Sequence, residues 1–441
     1  MNRESFAAAI RHISTVLTMM LLALALLTGY WQAARSTTLS AREDNPRLVL
    51  AEQRVPRGAI TDRNGQPLAA SQSTPDGYVR YYPEQAAAPV VGYYSLRHGL
   101  GGAEAAFDDE LRGTAGRTRS EAWVDSLLHR VPAGRSVRLT LDLSVQRAAD
   151  AALGDRTGAV VVLSVPEGQV IALASHPTYD PATLDEDWER LRSDPASPLV
   201  NRATQGAYQP GATFQTLVLA DVLSQGGVYL TSTVQANTPV QLGGATLSCA
   251  VTPLTSMLSA AYAAGCPAPF ATLADRLDVG SLTASIQRWE LDTALNGFEL
   301  PTHKTAWSPG ALTTTEALRE LVLGQSQLSV SPLQMATVIG TVVNGGRALA
   351  APHLTFRSVS VSPALAPLPP EVASALQAAL PVNGDMAGQT ALAVSGKSRL
   401  AWFMGFAPAS SPRWAIVVLI ENGDATTSQA VAASVRTELT P

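Results

Sequence analysis

The longest apolar segment of the chain stands close to its N-terminus. Residues 13–34, "ISTVLTMMLLALALLTGYWQAA", carry no formal charge. As a helix this segment would extend about 33 Å, enough to cross a hydrocarbon core of roughly 30 Å. We therefore predict a single transmembrane helix at 13–34 behind a cytoplasmic tail, 1–12. A cleaved signal peptide is the alternative, because Ala33 and Ala34 are small residues that can follow its apolar region.

The large C-terminal part is predicted to be extracytoplasmic, with the chain held in the cytoplasmic membrane. A short tail precedes the apolar segment and a much longer sequence follows it. Long domains are translocated with little regard for the charges that flank the span, so the arginines on both sides do not decide the orientation.

Shorter apolar segments predict strands near both ends of the remaining chain. Residues 158–175, "GAVVVLSVPEGQVIALAS", indicate a hairpin of two buried strands, and residues 400–408 and 413–422 indicate two more. The alternation within 400–408 places Trp402 and Phe406 in the core. Roughly 200 residues between these strand groups have mostly helical patterns. One central antiparallel sheet built from both ends, with helices around it, is a mixed α/β (α+β) arrangement.

Composition narrows the functional classes. The net charge is −5 and only 15% of residues are charged, which leaves no electrostatic footprint for nucleic acid. Cys249 and Cys266 are the only cysteines. In an exported domain they can form a disulfide, and two isolated thiols are the alternative. Neither has the His or Cys companions of a zinc site, so no metal and no cofactor is predicted.

Seven segments follow one another in an order that resembles class B penicillin-binding proteins, the membrane-anchored D,D-transpeptidases of bacterial cell-wall synthesis. They are "RGAITDRNGQPLA" (57–69), "GYYSLRHGLGGAEAAFDDELRG" (92–113), "LTLDLSVQRAADAAL" (139–153), "SHPTYDP" (175–181), "NRATQGAYQPGATF" (201–214), "GQSQLSVSPLQMATVIGTVVNGG" (324–346) and "AWFMGFAP" (401–408). The resemblance implies a stalk and small mixed pedestal domain at 35–135, followed by a penicillin-binding transpeptidase-like domain at 136–441. Glu104 and Asp108 are expected to close the pedestal fold.

The first catalytic motif of that family is S-x-x-K on a helix, where the serine attacks and the lysine removes its proton. The three-residue spacing puts both side chains on one helix face. The matching positions here are Ala212 and Gln215. Alanine has no nucleophilic atom, and a glutamine amide cannot act as a base near neutral pH. Thr213 lies next to the nucleophile position, about 100° around the helix, and is a candidate for the substrate groove.

The other two motifs, S-x-N and K-T-G, are also altered. "GCPAPF" places Gly265 at the serine position and Pro267 at the asparagine position. "GQTALA" places Gln389, Thr390 and Ala391 where Lys, Thr and Gly belong, which leaves Thr390 as a second groove candidate. An alternative alignment uses "GKSRL" from Gly396, but it leaves almost no turn before the next strand.

One test does not depend on alignment. The chain has two lysines, Lys304 and Lys397, and neither has a serine three residues before it. They open the tripeptides "KTA" and "KSR", and no asparagine has a serine two positions before it. S-x-x-K, S-x-N and K-T-G therefore occur nowhere in the sequence.

The sequence predicts a catalytically inactive penicillin-binding-protein homologue, a pseudoenzyme that acts as a scaffold or regulator of elongation or division machinery. Its expected partners are the membrane and cell-wall synthesis proteins, such as a polytopic glycosyltransferase or division components, with peptidoglycan stem peptides as a further ligand. Two alternatives stay open. One is an active D,D-transpeptidase or carboxypeptidase with relocated catalytic residues, and the other is a non-covalent peptidoglycan-binding module.

Overall fold

The computed structural model describes residues 3–31, 53–118, 120–121, 124, 128, 133–242, 244–356, 368–396 and 398–439. Contacts divide the chain into two units, Met1–Pro56 with Ser73–Val79, and Arg57–Gln72 with Arg80–Pro441. The second unit holds both the predicted transpeptidase-like domain and the predicted pedestal from Arg57 onward, apart from residues 73–79.

The first unit contains a long apolar helix, α1 (Arg3–Tyr30). Its segment Arg11–Tyr30 has a mean hydropathy of 1.9 and is long and apolar enough to cross a membrane. The hydroxyls of Thr15, Thr18 and Thr28 each donate to the carbonyl four residues earlier, which satisfies them within an apolar surface. Residues 32–34 of the predicted span, and 35–52 of the predicted stalk, lie outside the described residues.

The pedestal consists of short elements. Its strands and helices are β1 (Ile60–Thr61), β2 (Pro67–Thr74), β3 (Gly77–Tyr81), α2 (Ala88–Val91), β4 (Tyr93–Ser95), β5 (Gly99–Gly101), α3 (Gly102–Ala106), α4 (Asp108–Arg112) and β6 (Val137–Arg138). β1 pairs antiparallel with β2 and parallel with β6, so the strand–turn–strand segment closes on the chain that leads into the next domain. β4 and β5 form a separate antiparallel hairpin.

A buried ion-pair network fastens the pedestal. Arg57 contacts Glu104 at 3.1 Å and Asp108 at 2.6 Å, and Arg80 contacts Glu104 at 2.6 Å. The guanidinium of Arg57 also lies 4.5 Å from the ring centre of Tyr94. Glu104 is fully buried between two cations, so the prediction that Glu104 and Asp108 close the fold is confirmed.

The transpeptidase-like region alternates helices and strands. Its elements are α5 (Leu143–Leu153), β7 (Gly158–Ser164), β8 (Val170–His176), α6 (Leu184–Ser193), α7 (Arg202–Gln205), α8 (Gln215–Gln225), β9 (Val240–Leu242), β10 (Ala245–Leu247), α9 (Leu258–Ala263), α10 (Pro267–Leu273), α11 (Val279–Arg288), α12 (Thr315–Val322), α13 (Pro332–Val343), α14 (Pro370–Ala379), β11 (Val382–Asn383), β12 (Met386–Ser395), β13 (Ser398–Ala407), β14 (Trp414–Glu421) and α15 (Ala425–Glu438).

A six-stranded sheet from both ends of this region forms its centre, as the sequence predicts. The strand order is β11–β12–β13–β14–β7–β8, and every neighbouring pair is antiparallel. α8 and α13 belong to the core on one face of the sheet, and α5 and α15 pack on the other. Trp402 and Phe406 are buried, so both core predictions are confirmed.

The sequence did not determine two features of this region. A small antiparallel hairpin, β9 with β10, interrupts the helical segment and has no strong alternation in the sequence. The open question of the cysteines is settled, because Cys249 and Cys266 form a disulfide. The bond ties the chain after β10 to the residue before α10.

Candidate functional site

The segment that precedes α8 is held tightly against the sheet. Tyr208 exchanges two backbone hydrogen bonds with Val330, and the indole N–H of Trp402 donates to the carbonyl of Gln209 at 3.1 Å. Gly211 opens a short 3-10 helix, Gly211–Phe214, with φ +55°. A Cβ there would lie 2.4 Å from the carbonyl oxygen of Leu392, so only glycine allows this approach to β12.

Ala212 and Gln215 lie at the start of this helical segment and are both buried. The Gln215 side chain donates from Nε2 to the backbone carbonyl of Cys266 at 3.0 Å. Its Oε1 is buried and has no hydrogen-bond partner among the described residues. The side chain at the position of the base is therefore used as a structural tie to the segment of the second motif.

Gly265 and Pro267 lie beside that tie. Gly265 has φ +61°, and a Cβ placed on it would lie 2.7 Å from the carbonyl oxygen of Thr390 and 3.4 Å from the Cβ of Ala212. Pro267 begins α10 and lines the same cavity as Ala212. The positions assigned to the three motifs thus converge on one place in the fold.

Gln389 is 0% exposed and points from β12 toward α8. Its Nε2 donates to the hydroxyl of Thr216 at 3.2 Å, and that hydroxyl shares a 2.9 Å hydrogen bond with Tyr262. Burial raises the pKa of Tyr262 well above its usual range, so the chain Gln389–Thr216–Tyr262 is neutral. Ala391 is buried two residues further along β12.

Thr216 and Tyr262 were missed by sequence reasoning. Thr216 is four residues after Ala212, and this spacing puts both on one side of a helix. That spacing was the available signal. Nothing in the sequence around Tyr262 relates it to the site.

An edge of β12 faces the site. The N–H of Val394 donates to Oε1 of Gln325 at 3.1 Å and so points away from β13. In an antiparallel strand the N–H and C=O of one residue point to the same side, and this side alternates from residue to residue. The N–H and C=O groups of Thr390 and Leu392 therefore also point away from β13. Leu392 lies on the cavity wall.

The cavity at this place has a volume of about 100 Å³. It is bounded by Ala212, Gln215, Thr246, Leu247, Ser248, Gly265, Pro267, Leu323, Gln325, Leu392, Val394 and Arg399. Pockets that take drug-sized ligands are usually about 300–1,000 Å³. Among the residues that the structure describes, the wall has the hydroxyls of Thr246 and Ser248 and the guanidinium of Arg399, but no lysine, histidine or carboxylate.

The two groove candidates, Thr213 and Thr390, are not among the residues that line this cavity. Thr213 is fully buried and its hydroxyl donates to the carbonyl of Pro210 at 2.6 Å. Thr390 is also buried, and it is its backbone oxygen that approaches Gly265. In the alternative alignment Gly396 falls in the turn between β12 and β13, and Lys397 lies outside the described residues.

Comparison with known proteins gives the family. One family model, the penicillin binding protein A dimerisation domain, matches residues 57–137. Another, the penicillin binding protein transpeptidase domain, matches residues 158–383 and 383–440. The latter match alone covers more than half of the chain. The chain belongs to the class B penicillin-binding proteins.

Relatives of the whole chain are peptidoglycan D,D-transpeptidases. The chain is 34% identical over 458 residues to PbpA of Mycolicibacterium smegmatis, covering 92% of each sequence. It is 30% identical over 467 residues to PbpA of Mycobacterium tuberculosis, covering 94% of each. These similarities place the chain among the penicillin-binding proteins of cell-wall synthesis.

Solved structures are similar over most of the fold. The imipenem acyl-enzyme complex of M. tuberculosis penicillin-binding protein A has a TM-score of 0.77 at 28% identity, over 88% of this chain and 99% of that one. The D,D-transpeptidase domain of a peptidoglycan glycosyltransferase from Eggerthella lenta has a TM-score of 0.75 at 27% identity, over 87% and 98%. The single apolar N-terminal helix fits a membrane anchor.

In this penicillin-binding protein the disulfide adjoins the site. Cys266 lies between Gly265 and Pro267, and its sulfur is bonded to Cys249. The N–H groups of Ala250 and Val251 both donate to the carbonyl of Ala264. The chain from β10 is thereby held against the cavity, and Cys266 has no free thiolate to act as a nucleophile.

The chemistry available to the site is restricted. An acyl transfer needs a nucleophile within hydrogen-bond reach of a base. Among the described residues, the cavity wall offers the hydroxyls of Thr246 and Ser248, and its one charged side chain, the guanidinium of Arg399, cannot accept a proton. Within the described ranges, no group of three His, Cys, Asp or Glu residues could hold a metal ion.

Proposed function

We propose that this class B penicillin-binding protein is a pseudoenzyme of peptidoglycan synthesis. It keeps the transpeptidase fold and a membrane anchor, but does not form an acyl-enzyme. Its role is that of a scaffold or regulator within the elongation or division machinery, and its partners are other cell-wall synthesis proteins.

One observation carries this proposal: the positions of the first two motifs line one cavity, those of the third lie beside it on β12, and none of them supplies an attacking serine or a basic side chain. Ala212 replaces the nucleophile, and the amides of Gln215 and Gln389 are bonded to Cys266 and Thr216. Losing the nucleophile or the base alone can lower the rate about a millionfold in a serine hydrolase. Here both are absent.

The small cavity supports an architectural role over peptide binding. About 100 Å³ is well below the usual size of a ligand pocket, and the chain after β10 forms part of its wall. Both changes from lysine to glutamine also remove positive charge that would attract a peptide carboxylate. A polytopic glycosyltransferase or a division protein is the partner class that we propose.

The disulfide supports the proposed orientation. Disulfides persist in oxidising compartments outside the cytoplasm and are rare within it. Cys249 and Cys266 lie in the large C-terminal part, so this part is proposed to face the cell wall, with α1 crossing the cytoplasmic membrane once.

A covalent-labelling experiment tests the inactivity. The full-length chain, purified in detergent, is incubated with fluorescent penicillin and analysed by gel fluorescence and intact mass. M. smegmatis PbpA, a peptidoglycan D,D-transpeptidase by name, is treated in parallel as the positive control. We expect a labelled relative and an unmodified chain. An adduct that one substitution removes would contradict the proposal.

Two further assays separate the remaining functions. Release of D-alanine from a D-Ala-D-Ala peptide would support an enzyme with relocated residues. Retention by soluble wall fragments, with no membrane protein recovered after cross-linking in cells, would support a peptidoglycan-binding module. We expect the opposite pattern, with a membrane protein cross-linked and no D-alanine released.

A further inference from the structure

A larger cavity lies away from the motif positions, between the loop that follows α8, strand β9 and helix α10. Its volume is about 610 Å³, within the range of about 300–1,000 Å³ that is usual for ligand pockets. Its described lining residues include none of those around the Ala212 cavity. The space is therefore large enough for a ligand and is separate from the transpeptidase-like site.

A cluster of apolar side chains forms one part of the cavity wall. Some are half-buried and pack on the main core, and the others are buried: Val228, Val234, Val240 and Leu273, and then Leu258 and Pro269. Burial of apolar surface is worth about 25 cal/mol per Å². An apolar group placed here would extend the core outward, so the cavity favours a ligand with large apolar side chains.

One cation lies beside this apolar surface. Arg276 is the single charged residue among the described lining residues. It is exposed, and its guanidinium forms no hydrogen bond or ion pair with the described part of the chain. The nearby Asp275 and Asp278 do not line the cavity, and Asp278 accepts the N–H of Ser281 at 2.9 Å to cap α11. A carboxylate on a ligand would thus meet an available counter-charge.

The apolar surface continues onto the rim of the cavity. Tyr229 is 69% exposed and directly follows Val228 of the wall. Met257 is 43% exposed, forms an antiparallel bridge with Thr233 of the wall and precedes Leu258. Tyrosine, methionine and arginine are enriched at protein–protein interfaces. A small molecule confined to the cavity would leave both exposed side chains in water, whereas a polypeptide that lies across the cavity would cover them.

We propose that this surface, the Arg276 cavity with Tyr229 and Met257 on its rim, binds a peptide segment of a partner protein in which large apolar side chains stand close to an acidic residue. The apolar side chains fill the cavity, and the carboxylate pairs with Arg276. Packed apolar anchors and arginines contribute much of the binding energy of protein interfaces. The inference deepens the proposed function and rests on it, because a scaffold needs a surface that its cell-wall synthesis partners recognise.

A membrane surface fits this site less well than a peptide. Attraction to anionic lipid amounts to about 1 kcal/mol for each lysine or arginine near the surface, so clusters of several are needed. Here one arginine stands between two aspartates, Asp275 and Asp278, in the sequence. The charges therefore favour a single ion pair with an acidic side chain over a diffuse attraction to lipid.

Selection from a peptide library tests the assignment. The full-length chain in lipid nanodiscs is the target for short peptides displayed on phage, and the selected peptides are synthesised and titrated. We expect saturable binding at micromolar concentration by peptides in which Asp or Glu stands close to Leu, Phe or Trp. Arg276→Glu should weaken this binding at least about tenfold, because a like charge then faces the carboxylate. No enrichment, or equal binding by Arg276→Glu, would overturn the proposal.

Matched variants separate this site from a fold defect. A peptide whose acidic residue is replaced by lysine should lose binding to the parent chain and recover it on Arg276→Glu. Arg347→Glu reverses an exposed arginine outside the cavity and should bind like the parent. Thr272→Trp puts a large ring at an exposed position of the wall and should block binding, whereas Thr272→Ala should not. Binding that Thr272→Trp leaves unchanged would overturn the proposal.

Cross-linking in cells relates the surface to the proposed function. A photoreactive benzoylphenylalanine in place of Tyr229 should cross-link a cell-wall synthesis protein, and Arg276→Glu should reduce that product severalfold. An adduct with lipid alone would overturn the peptide assignment. A partner captured equally by Arg276→Glu would keep the proposed scaffold and overturn this surface. A penicillin adduct would overturn the proposed pseudoenzyme without altering the peptide titration, because none of the varied residues lines the Ala212 cavity.

Discussion

The side-chain amide of Gln215 donates to the backbone carbonyl of Cys266 across 3.0 Å. This bond joins the helix that would carry the nucleophile to the disulfide-linked segment that would carry the second motif. A position that serves proton transfer in the resembled family is here part of the fold's internal support, and the consequences can be measured.

Restoring the first motif should require two changes. Ala212→Ser alone supplies a hydroxyl without a base, and we expect no fluorescent penicillin on it. Ala212→Ser with Gln215→Lys adds a buried amine whose pKa burial lowers, so part of it is neutral and can accept a proton. We expect slow labelling of the double variant only, measured as a time course by intact mass. Equal labelling of both variants would show that Gln215 does not occupy the position of the base.

Restoring the lysine of the third motif should destabilise the protein. Gln389→Met removes one hydrogen bond to Thr216 but also removes an Oε1 that is buried without a described partner. We expect its free energy of unfolding to stay within about 1 kcal/mol of the parent. Gln389→Lys places an ammonium at a fully buried position and should lower that free energy by about 3–5 kcal/mol. Chemical denaturation of the two variants side by side is the measurement. A stable Gln389→Lys would indicate an unrecognised anion nearby.

Sequence reasoning was most successful where a pattern is local. The hairpin β7–β8, the strands β13 and β14, and the buried Trp402 follow from apolar runs and turn residues. The hydrogen bonds of Gln215 and Gln389 could not be predicted, since both link elements far apart in the chain. The orientation of Thr213 and Thr390 away from the cavity also depends on how the 3-10 helix and β12 are rotated. Composition and spacing do not fix that rotation.

The disulfide should contribute substantially to stability. A cross-link that closes a loop of 17 residues restricts the unfolded chain by about 3 kcal/mol. We expect Cys249→Ala with Cys266→Ala to lower the free energy of unfolding by about that amount, and a reductant to destabilise only the parent chain. An unchanged parent in reductant would contradict the estimate.

The redox state of this disulfide also indicates whether the domain lies in an oxidising or a reducing compartment. In intact cells a thiol-alkylating reagent should add no mass to the parent chain until a reductant is present. Alkylation at Cys249 without reductant would place the domain in a reducing compartment and contradict the proposed orientation.

The pedestal should depend on the charge of Glu104. Burial by itself would lower the pKa of Arg57, but Glu104 and then Asp108 more than reverse this and raise it. Glu104→Gln keeps the shape and leaves Arg57 and Arg80 without their shared carboxylate, so we expect a loss of about 3–5 kcal/mol in denaturation. Glu189→Gln breaks an exposed pair with Arg192 and serves as the control, with a change below about 1 kcal/mol.

The N-terminal cap of helix α15 should stabilise the protein less at low pH. The Thr426 hydroxyl, and then the N–H and hydroxyl of Thr427, donate to Asp424 and hold its pKa at about 2. A carboxylate with a lowered folded pKa stabilises above its unfolded value near 4 and loses that contribution as the pH falls toward 2. Asp424→Ala should lower the free energy of unfolding by about 1 kcal/mol at pH 7, and the difference should shrink as the pH falls to 2 and vanish below it. A difference at pH 2 as large as that at pH 7 would mean that the ionised carboxylate is not the cap.

Gly265 makes the second motif harder to restore than the first. Its left-handed backbone and the 2.7 Å that separates a would-be Cβ from the Thr390 carbonyl leave no room for the serine that the resembled motif has there. A single codon change could place a hydroxyl at Ala212, but at Gly265 the main chain would also have to move before a side chain could fit. A lone serine could therefore return by one substitution, whereas all three motifs could return only if the loop around Gly265 also changed its backbone conformation.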